Sequence, residues 1–384
     1  MKKLVLLFFL YLILTFRFSF ISITKVSAFF DPLLRPNNFH GIHILFNSEL
    51  SDAANLVNSK NGEWGYVTIP IQASDKDLDK WQKFMDDCRR LKLIPIVRLS
   101  TEADPQNTNV WRQPTATDIL DFANFLDSLT WPIENRYVII FNEVNRFDEW
   151  GGNPPDPVTY AGLLSYAHET FKDRSPNFYV IMSGLDNAAP NDGVKYLDNF
   201  VYLNKMLVHD PDIFNKIDGF ASHSYPNPGF SAPPLHDKPE GITTYQYEYK
   251  LINSNSNHKI PVFITETGWD SNKLGEALVA KYYDIAYKNF WNNDRDKIVA
   301  ITPFLLNSQG GAFDSFSFVK NGKQTQYYTQ AQQMEKTKGE PLIQAVKGLA
   351  VNQITDYKEL ILPDQIENPF SAKQLLIRYM KFFF

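Results

Sequence analysis

The stretch IIFNEVN at residues 139–145 joins an apolar run to a carboxylate. Residues 137–141 are all apolar or aromatic, which is typical of a strand buried on both faces of a parallel sheet. Asn142 and Glu143 follow at the C-terminal end of this strand. A buried carboxylate is costly unless it is paired or its pKa is shifted, so Glu143 is a candidate functional residue.

A second stretch, IPVFITETGW at residues 260–269, repeats this design and places Glu266 after an apolar run. Because the carboxyl ends of parallel strands in a barrel meet at one mouth, we expect Glu143 and Glu266 to face each other. Glycoside hydrolysis uses such a pair, since one carboxylic acid protonates the leaving oxygen while one carboxylate attacks or activates water. The two groups must then titrate differently.

The chain around these two stretches alternates between strand and helix patterns. Helical patterns occupy residues 48–58, 77–91, 115–129, 157–172, 196–208, 243–252 and 274–291. Strand patterns occupy residues 39–46, 64–71, 94–100, 137–141, 179–186, 218–225, 262–264 and 298–306. Eight such alternations predict an α/β protein with a single (β/α)8 TIM barrel over residues 29–328.

Composition and charge narrow the functional classes. The 384 residues are 44% hydrophobic, which is enough for one large core, and the formal net charge of −5 includes no basic block that would favour nucleic acid. A single cysteine, Cys88, cannot form an internal disulfide. The sequence has no phosphate loop, no Gly-x-Ser-x-Gly elbow and no usual metal-ligand spacing, so we expect neither a cofactor nor a metal.

The two ends of the chain differ from the middle. Lys2 and Lys3 precede an apolar run that ends near the small residues of 26–28, so residues 1–28 are predicted to be a signal peptide or a membrane anchor. The protein is therefore expected to be secreted or attached to the cell envelope. Residues 329–384 form a C-terminal extension for which the sequence indicates no role.

The motifs at the fourth and seventh strands resemble those of a known group. Asn142-Glu143 and Glu266 are similar to the signature of the clan A glycoside hydrolases, which are cellulase-like, retaining enzymes with a (β/α)8 barrel. The resemblance covers about residues 39–328. It implies that Glu143 is the general acid/base, that Glu266 is the nucleophile, and that a covalent glycosyl-enzyme intermediate forms.

Four polar residues are candidates to surround this pair. The amide of Asn142 could donate a hydrogen bond to a sugar hydroxyl. In the clan, an aromatic residue or a histidine near the end of the sixth strand often contacts the nucleophile or the substrate, so the resemblance implies that Tyr225 could hydrogen-bond Glu266 and that His223 could have such a contact. Alternatively, His223 could be a satisfied histidine inside the barrel. Arg98 ends the third strand and could hold a carboxylate ionised, although the family often has an arginine after the second strand.

Aromatic residues are candidates for stacking on sugars. Trp269 and Trp150 lie beside the two carboxylate motifs, and each could form a sugar platform or pack in the core. Many relatives have a tryptophan at the end of the eighth strand, where this chain reads PFLLN at residues 303–307.

The leading hypothesis is a retaining glycoside hydrolase that cleaves a β-linked oligosaccharide or polysaccharide. Three other interpretations remain open: a transglycosylase with the same intermediate, a non-catalytic carbohydrate-binding barrel at the cell envelope, and a structural protein with buried ion pairs. In the structural interpretation, Arg98 or lysines pair with Glu143 and Glu266.

Overall fold

The computed structural model describes residues 30–235, 238–311 and 313–345. The predicted signal or anchor segment at residues 1–28, and residues 346–384 of the predicted extension, lie outside this part of the chain. Within the described residues, no helix has the length and apolar character required to cross a membrane.

Eight parallel strands form a barrel in which each strand pairs with the next one along the chain. A parallel bridge between His40 and Ile301 and a hydrogen bond from the Ile301 N–H to the Phe39 carbonyl bring the eighth strand back to the first. The strands are β1 Gly41–His43, β2 Gly65–Gln72, β3 Leu93–Ser100, β4 Arg136–Ile140, β5 Phe178–Met182, β6 Gly219–His223, β7 Val262–Glu266 and β8 Ile298–Ile301. The prediction of a (β/α)8 barrel is confirmed.

Helices alternate with these strands and cover the barrel. They are α1 Leu50–Val57, α2 Leu78–Arg90, α3 Ala116–Ser128, α4 Pro157–Arg174, α5 Asn199–His209, α6 Thr244–Asn253, α7 Ser271–Leu274, α8 Glu276–Asn289 and α9 Gln326–Gln333. Local sequence explains several of the helix starts. Thr115 and Asp118 form a capping box at the start of α3, and Asp156 caps α4, which begins with Pro157.

The apolar residues of the strands divide between two cores. One core lies between the strands and the surrounding helices and includes Val97, Val138 and Phe178. The second core fills the barrel interior and includes Ile96 and Ile139. This division explains why the strands have nearly continuous apolar runs, since both of their faces are buried.

The first and last strands are shorter than their sequence patterns predict. The apolar run at residues 298–306 contributes a strand only at Ile298–Ile301. Pro303 lies just beyond this strand, where it lacks an N–H that could extend the ladder, although its carbonyl accepts a hydrogen bond from the His43 N–H. Beyond this strand Phe304 reaches the mouth of the barrel, whereas Leu306 packs in the core between the strands and the helices.

The start of the predicted extension packs on the barrel. Helix α9 runs across the predicted boundary at residue 328 and contacts α8. The following segment lies under the N-terminal ends of the strands, where the Glu340 N–H donates to the Pro36 carbonyl and the Glu134 N–H donates to the Leu342 carbonyl. The described part of this extension therefore closes the base of the barrel, at the end opposite the two carboxylate motifs.

Candidate active site

The two carboxylates lie at the C-terminal ends of β4 and β7, as the sequence predicts. Glu266 is the last residue of β7. Glu143 lies in the turn after β4, and its backbone N–H donates to the Gly184 carbonyl. Phe141 and Glu143 both have positive φ angles, of 67° and 35°. Such angles are strained for residues with side chains, and strain of this kind is concentrated at functional sites.

The Glu143 and Glu266 carboxylates meet around one imidazole. One carboxylate oxygen from each residue and one ring nitrogen of His223 all lie within 4.8 Å of one another. His223 Nδ1 is 2.8 Å from Glu143 Oε1 and 3.7 Å from Glu266 Oε2. Glu143 and Glu266, which are 123 positions apart in sequence, thus meet in one cluster with His223.

Glu266 is surrounded by donors and positive charge. Arg98 Nη1 donates to its Oε1 at 2.5 Å, and the Tyr225 hydroxyl donates to its Oε2 at 3.0 Å. Burial alone would raise the pKa of Glu266, but His223, Arg98 and His43 outweigh burial and lower that pKa to about 2. Glu266 is therefore a carboxylate over the whole physiological pH range.

Glu143 has a different environment. Burial raises the pKa of its carboxyl, and the hydrogen bond with His223 and the nearby Arg146 offset only part of that effect. Arg146 Nη1 is 3.6 Å from Glu143 Oε2, beyond hydrogen-bond distance, because its guanidinium binds Asp148 through two nitrogens and Asp186 through the third. The pKa values of Glu143 and Glu266 are thus shifted in opposite directions.

His223 is held in place by a close contact with a glycine. A Cβ atom on Gly184 would lie 2.3 Å from His223 Cδ2, so only glycine allows the imidazole to lie over this strand end. Although burial opposes the charged form, Glu266 and Glu143 raise the pKa of His223. His223 lies inside the barrel and also contacts the carboxylates, so it combines both of the roles considered for it from sequence.

The side-chain amide of Asn142 has a fixed orientation. The Arg98 guanidinium can only donate hydrogen bonds, so the Asn142 Oδ1 must face it. Arg98 Nη1 donates to this oxygen at 2.8 Å. The Nδ2 group therefore points the other way and donates to Glu149 Oε1 at 2.9 Å. Glu266, Arg98, Asn142 and Glu149 form one continuous chain of hydrogen bonds along the floor of the mouth.

A cavity of about 270 Å³ opens above this chain. Its acidic and amide groups lie on one side, and aromatic rings form most of the remaining wall. Phe230 and Phe316 are only partly buried and pack edge to face at 5.3 Å. The residues that line the cavity are Trp111, Asn142, Glu143, Arg146, Asp148, Glu149, Tyr225, Phe230, Glu266, Asp270, Asn272, Lys273, Phe304, Phe313, Ser315 and Phe316.

Neither candidate tryptophan platform lines this cavity. Trp269 is 1% exposed, packs against Tyr283 with ring centroids 4.9 Å apart, and donates its indole N–H to the Ala232 carbonyl. Trp150 is also 1% exposed and packs edge to face on Tyr160. The structure corrects the platform interpretation for both residues, because a large indole next to a strand end gains most by filling the core.

Several residues that line the cavity were not predicted from the sequence. Arg146 belongs to the same NEVNR segment as Glu143, and its spacing of three residues was an available signal. Glu149 and Trp111 come from loops, and no periodicity fixes where a loop side chain points. Phe304 provides an aromatic ring at the end of β8, where the chain lacks a tryptophan.

Glu143, His223 and Glu266 are also the one group in the described residues whose ligand atoms could hold a metal ion. Their surroundings do not fit this role. The guanidinium of Arg98 occupies Glu266 Oε1, and Arg146 adds a second fixed positive charge beside Glu143. A divalent cation would be placed against both guanidinium groups, so these residues do not fit a metal site.

No protein-family profile and no curated protein matches the sequence. Solved structures do match. A family 39 glycoside hydrolase from the gut symbiont Bacteroides cellulosilyticus has a TM-score of 0.56 and 16% identity over 79% of this chain and 64% of its own. A monomeric β-xylosidase from Caulobacter crescentus has a TM-score of 0.53 and 13% identity over 78% and 69%.

A family 5 glycoside hydrolase from Streptomyces cattleya in complex with Manβ1-4GlcNAc has a TM-score of 0.52 and 11% identity over 77% of this chain and 79% of its own. This chain spans just under two thirds of the family 39 protein. At these identities the similarity establishes the fold. The neighbours are clan A glycoside hydrolases, and this chain shares the (β/α)8 barrel fold with them.

Proposed function

We propose that this protein is a retaining glycoside hydrolase that cleaves β-linked glycans by double displacement. The observation that carries the proposal is the meeting of Glu143 and Glu266 at one open cavity with pKa values shifted in opposite directions. Retaining enzymes hold their two carboxyls about 5 Å apart, whereas inverting enzymes need a wider gap for water. Oxygens within 4.8 Å support the retaining mechanism.

In the first step, Glu266 acts as the nucleophile because it is ionised and aimed into the cavity. Its carboxylate attacks the anomeric carbon while the bond from that carbon to the leaving oxygen breaks. Glu143 gives its proton to the leaving oxygen, which is the role of a carboxyl whose pKa is raised. Arg98 and Tyr225 hold Glu266 in the attacking orientation through their hydrogen bonds.

In the second step, the ionised Glu143 takes a proton from water as that water attacks the anomeric carbon. The bond between the sugar and Glu266 breaks, and the carboxylate of Glu266 is restored. His223 Nδ1 donates to Glu143 Oε1 and stabilises the charged form of the acid/base between the two steps. His223 lies near both carboxylates, so its positive charge can stabilise the negative charge on either one as the reaction proceeds.

The alternative of a purely structural ion pair explains only part of this arrangement. Arg98 and Glu266 do form a buried pair. A structural pair, however, does not need a second carboxyl whose pKa is raised, nor an aromatic-walled cavity above it. The convergence of these features in one place favours catalysis.

The proposal is tested by turnover and by stereochemistry. The wild-type protein is assayed against 4-nitrophenyl β-D-glycosides and β-1,4-linked oligosaccharides of xylose, mannose and glucose, and proton NMR follows the newly formed anomeric centre. We expect hydrolysis of at least one β-linked substrate, with the β-anomer released first. Initial release of the α-anomer would contradict the retaining mechanism, and the absence of turnover on every substrate would contradict the enzymatic function.

The same assay separates hydrolysis from transglycosylation. Added acceptor sugar competes with water for the glycosyl-enzyme intermediate. For a hydrolase, the monosaccharide or shortened glycan remains the main product at millimolar acceptor. If transfer products dominate under those conditions, the protein is a transglycosylase with the same two residues.

We further propose that the protein acts outside the cytoplasmic membrane, on the basis of the N-terminal sequence pattern. Lys2 and Lys3 precede the apolar run that leads to the small residues of 26–28. Cell fractionation of the full-length chain, with N-terminal sequencing of the product, tests this location. A full-length product recovered only from the cytoplasmic fraction would contradict it.

A further inference from the structure

A third carboxyl group, that of Glu149, faces the same cavity and has no part in the two-step reaction. Glu149 ends a short 3-10 helix at Phe147–Glu149, in the loop after β4, and it lines the cavity together with Glu143 and Glu266. Its Oε1 accepts a hydrogen bond from the Asn142 amide. Within the described residues, its Oε2 has no hydrogen-bond partner.

The partners of Glu149 differ from those of its acidic neighbours. Asp148 binds the guanidinium of Arg146 through both oxygens, and Glu266 binds that of Arg98. Glu149 forms no ion pair with any described residue, and its only hydrogen bond is to a neutral amide. A partly buried carboxylate without a cation is costly, so this geometry favours a protonated carboxyl group.

We propose that Glu149 is a substrate-binding residue that donates a hydrogen bond from its protonated Oε2 to a sugar hydroxyl. The inference rests on the proposed function, because it assigns Glu149 to the same glycan-binding cavity. It predicts a preference for sugars with a free hydroxyl near the Asn142 amide and against sugars with a carboxylate there. A carboxylate at that position would face Glu143, Asp148 and Glu149 together.

Electrostatics agree with this assignment. Burial, Asp148 and Glu143 raise the pKa of Glu149 to about 8, against weaker opposing effects from Asn142 and Arg98. Above that pH the donor is lost and a negative charge appears beside the sugar. Affinity for a neutral sugar is therefore expected to fall as the pH rises through about 8.

Other titratable and charged groups face the same space, so pH dependence alone is not sufficient. The loop after β4 contributes Glu143, Arg146 and Asp148, and β3 contributes Arg98. The remaining groups that face the cavity or its floor are His223, Tyr225, Glu266, Asp270 and Lys273. The substitution Glu149→Gln leaves all of them in place. Its amide oxygen can still accept from Asn142, and its NH2 group is a donor at every pH.

The experiment measures binding, which does not require turnover. Titration calorimetry gives the Kd of 4-nitrophenyl 1-thio-β-D-xyloside, glucoside, mannoside and galactoside, which resist hydrolysis, at about pH 7 and about pH 9. The proteins are the wild type, Glu149→Gln and the control Glu49→Gln. Glu49 is a buried carboxyl whose pKa is also raised to about 8, but it does not line the cavity.

For the thioglycoside that binds best, the wild type and Glu49→Gln should bind about tenfold more weakly at the higher pH, because about one tenth of Glu149 stays protonated. Glu149→Gln should bind equally well at both. Equal pH dependence in wild type and Glu149→Gln would overturn the inference. So would a loss of more than about tenfold in Glu149→Gln at about pH 7, or the absence of binding by every thioglycoside. Binding with the expected pattern, but without turnover of the oxygen-linked substrates, would refute the proposed function and leave this inference standing.

Discussion

The two ends of the barrel are built from the same eight strands but bury different kinds of side chain. At the mouth, Glu143, Glu266 and Arg98 lie under a cavity of about 270 Å³. At the base, a cavity of only about 30 Å³ remains, and its lining is mainly apolar and neutral polar, with Arg35 and Glu340 as its charged residues. Tyr66 there donates to the Asn37 side chain, and burial keeps its pKa well above the ordinary value.

The difference separates groups that perform chemistry from groups that hold the barrel together. Buried charges at the mouth are expensive, and they persist where positive φ angles at Phe141 and Glu143 add further strain. At the base, the residues that follow α9 cover the strand ends through backbone hydrogen bonds. Substitutions at the mouth should therefore act mainly on the rate, and substitutions at the base mainly on the stability.

The largest effect is expected for the nucleophile. Glu266→Gln should lower kcat/KM by about 10⁴-fold or more, since the amide cannot form the covalent intermediate. The matched control at the base is Tyr66→Phe, which removes the hydroxyl of a side chain that is buried like Glu266. Its kcat/KM should stay within about twofold of the wild-type value. Its free energy of unfolding should fall by about 1 kcal/mol, because one hydrogen bond is lost. Steady-state kinetics and urea unfolding of both variants check this contrast, which fails if Glu266→Gln keeps substantial activity.

The next largest effect is expected on stability, for a substitution at the base end of β5. Phe178 is fully buried and packs edge to face on Phe171 and Trp131. Phe178→Ala should cost about 3–5 kcal/mol of unfolding free energy, while the folded fraction keeps its KM, because β5 contributes no residue to the cavity lining. Denaturant titration gives the first value and initial rates give the second. A large rise in KM without loss of stability would contradict the separation of the two ends.

The pH dependence of stability and rate should report the titration of Glu266 and Glu143 at the mouth. The pKa of Glu266 in the folded protein is lowered from 4.5 to about 2. Its ionisation therefore stabilises the fold above about pH 4.5, and this stability is lost as the pH falls towards about 2. The raised pKa of Glu143 places the loss of the acid on the alkaline side, so kcat/KM should be bell-shaped.

Tyr225→Phe removes one hydrogen bond to Glu266, so the pKa of Glu266 should rise. The acid limb of the kcat/KM profile should then move to higher pH, with a loss of about tenfold in rate near the optimum. An unchanged acid limb would show that this limb does not report Glu266.

The smallest effects are expected for the aromatic residues. Phe316 is partly buried in the cavity wall, so Phe316→Ala should raise KM by about tenfold with a smaller change in kcat. Trp269→Phe should instead lower the melting temperature and leave KM unchanged, because Trp269 packs in the core and does not line the cavity. A KM effect of Trp269→Phe larger than that of Phe316→Ala would contradict the cavity described here.

The sequence predicts the barrel well because its signals are local. Continuous apolar runs identify the strands. In the structure Thr115 and Asp156 cap α3 and α4, and both are residue types that favour helix starts. Glu143 and Glu266 can be placed together because barrel topology fixes where strand ends meet. The contact between Tyr225 and Glu266 was expected from the resemblance to the clan A enzymes.

The rest of the site depends on loops and on close packing. The sequence leaves Trp150 and Trp269 open between sugar platforms and core packing, and the structure buries both rings in the core. Glu149 and Phe230 reach the cavity through loop conformations that no repeating pattern encodes. Arg98 is on β3, whereas the resemblance suggests an arginine after β2. Only the three-dimensional structure reveals that its guanidinium still reaches Glu266.

The division of labour between Glu143 and Glu266 is tested most directly by trapping the intermediate. The protein is inactivated with 2-deoxy-2-fluoro glycosides of the sugar that it turns over best, digested with trypsin and examined by mass spectrometry. Glu266 lies in the tryptic peptide of residues 260–273 and Glu143 in that of residues 137–146. We predict the added sugar on Glu266, in the first peptide. A label on Glu143, or time-dependent inactivation with a label on neither peptide, would contradict the account.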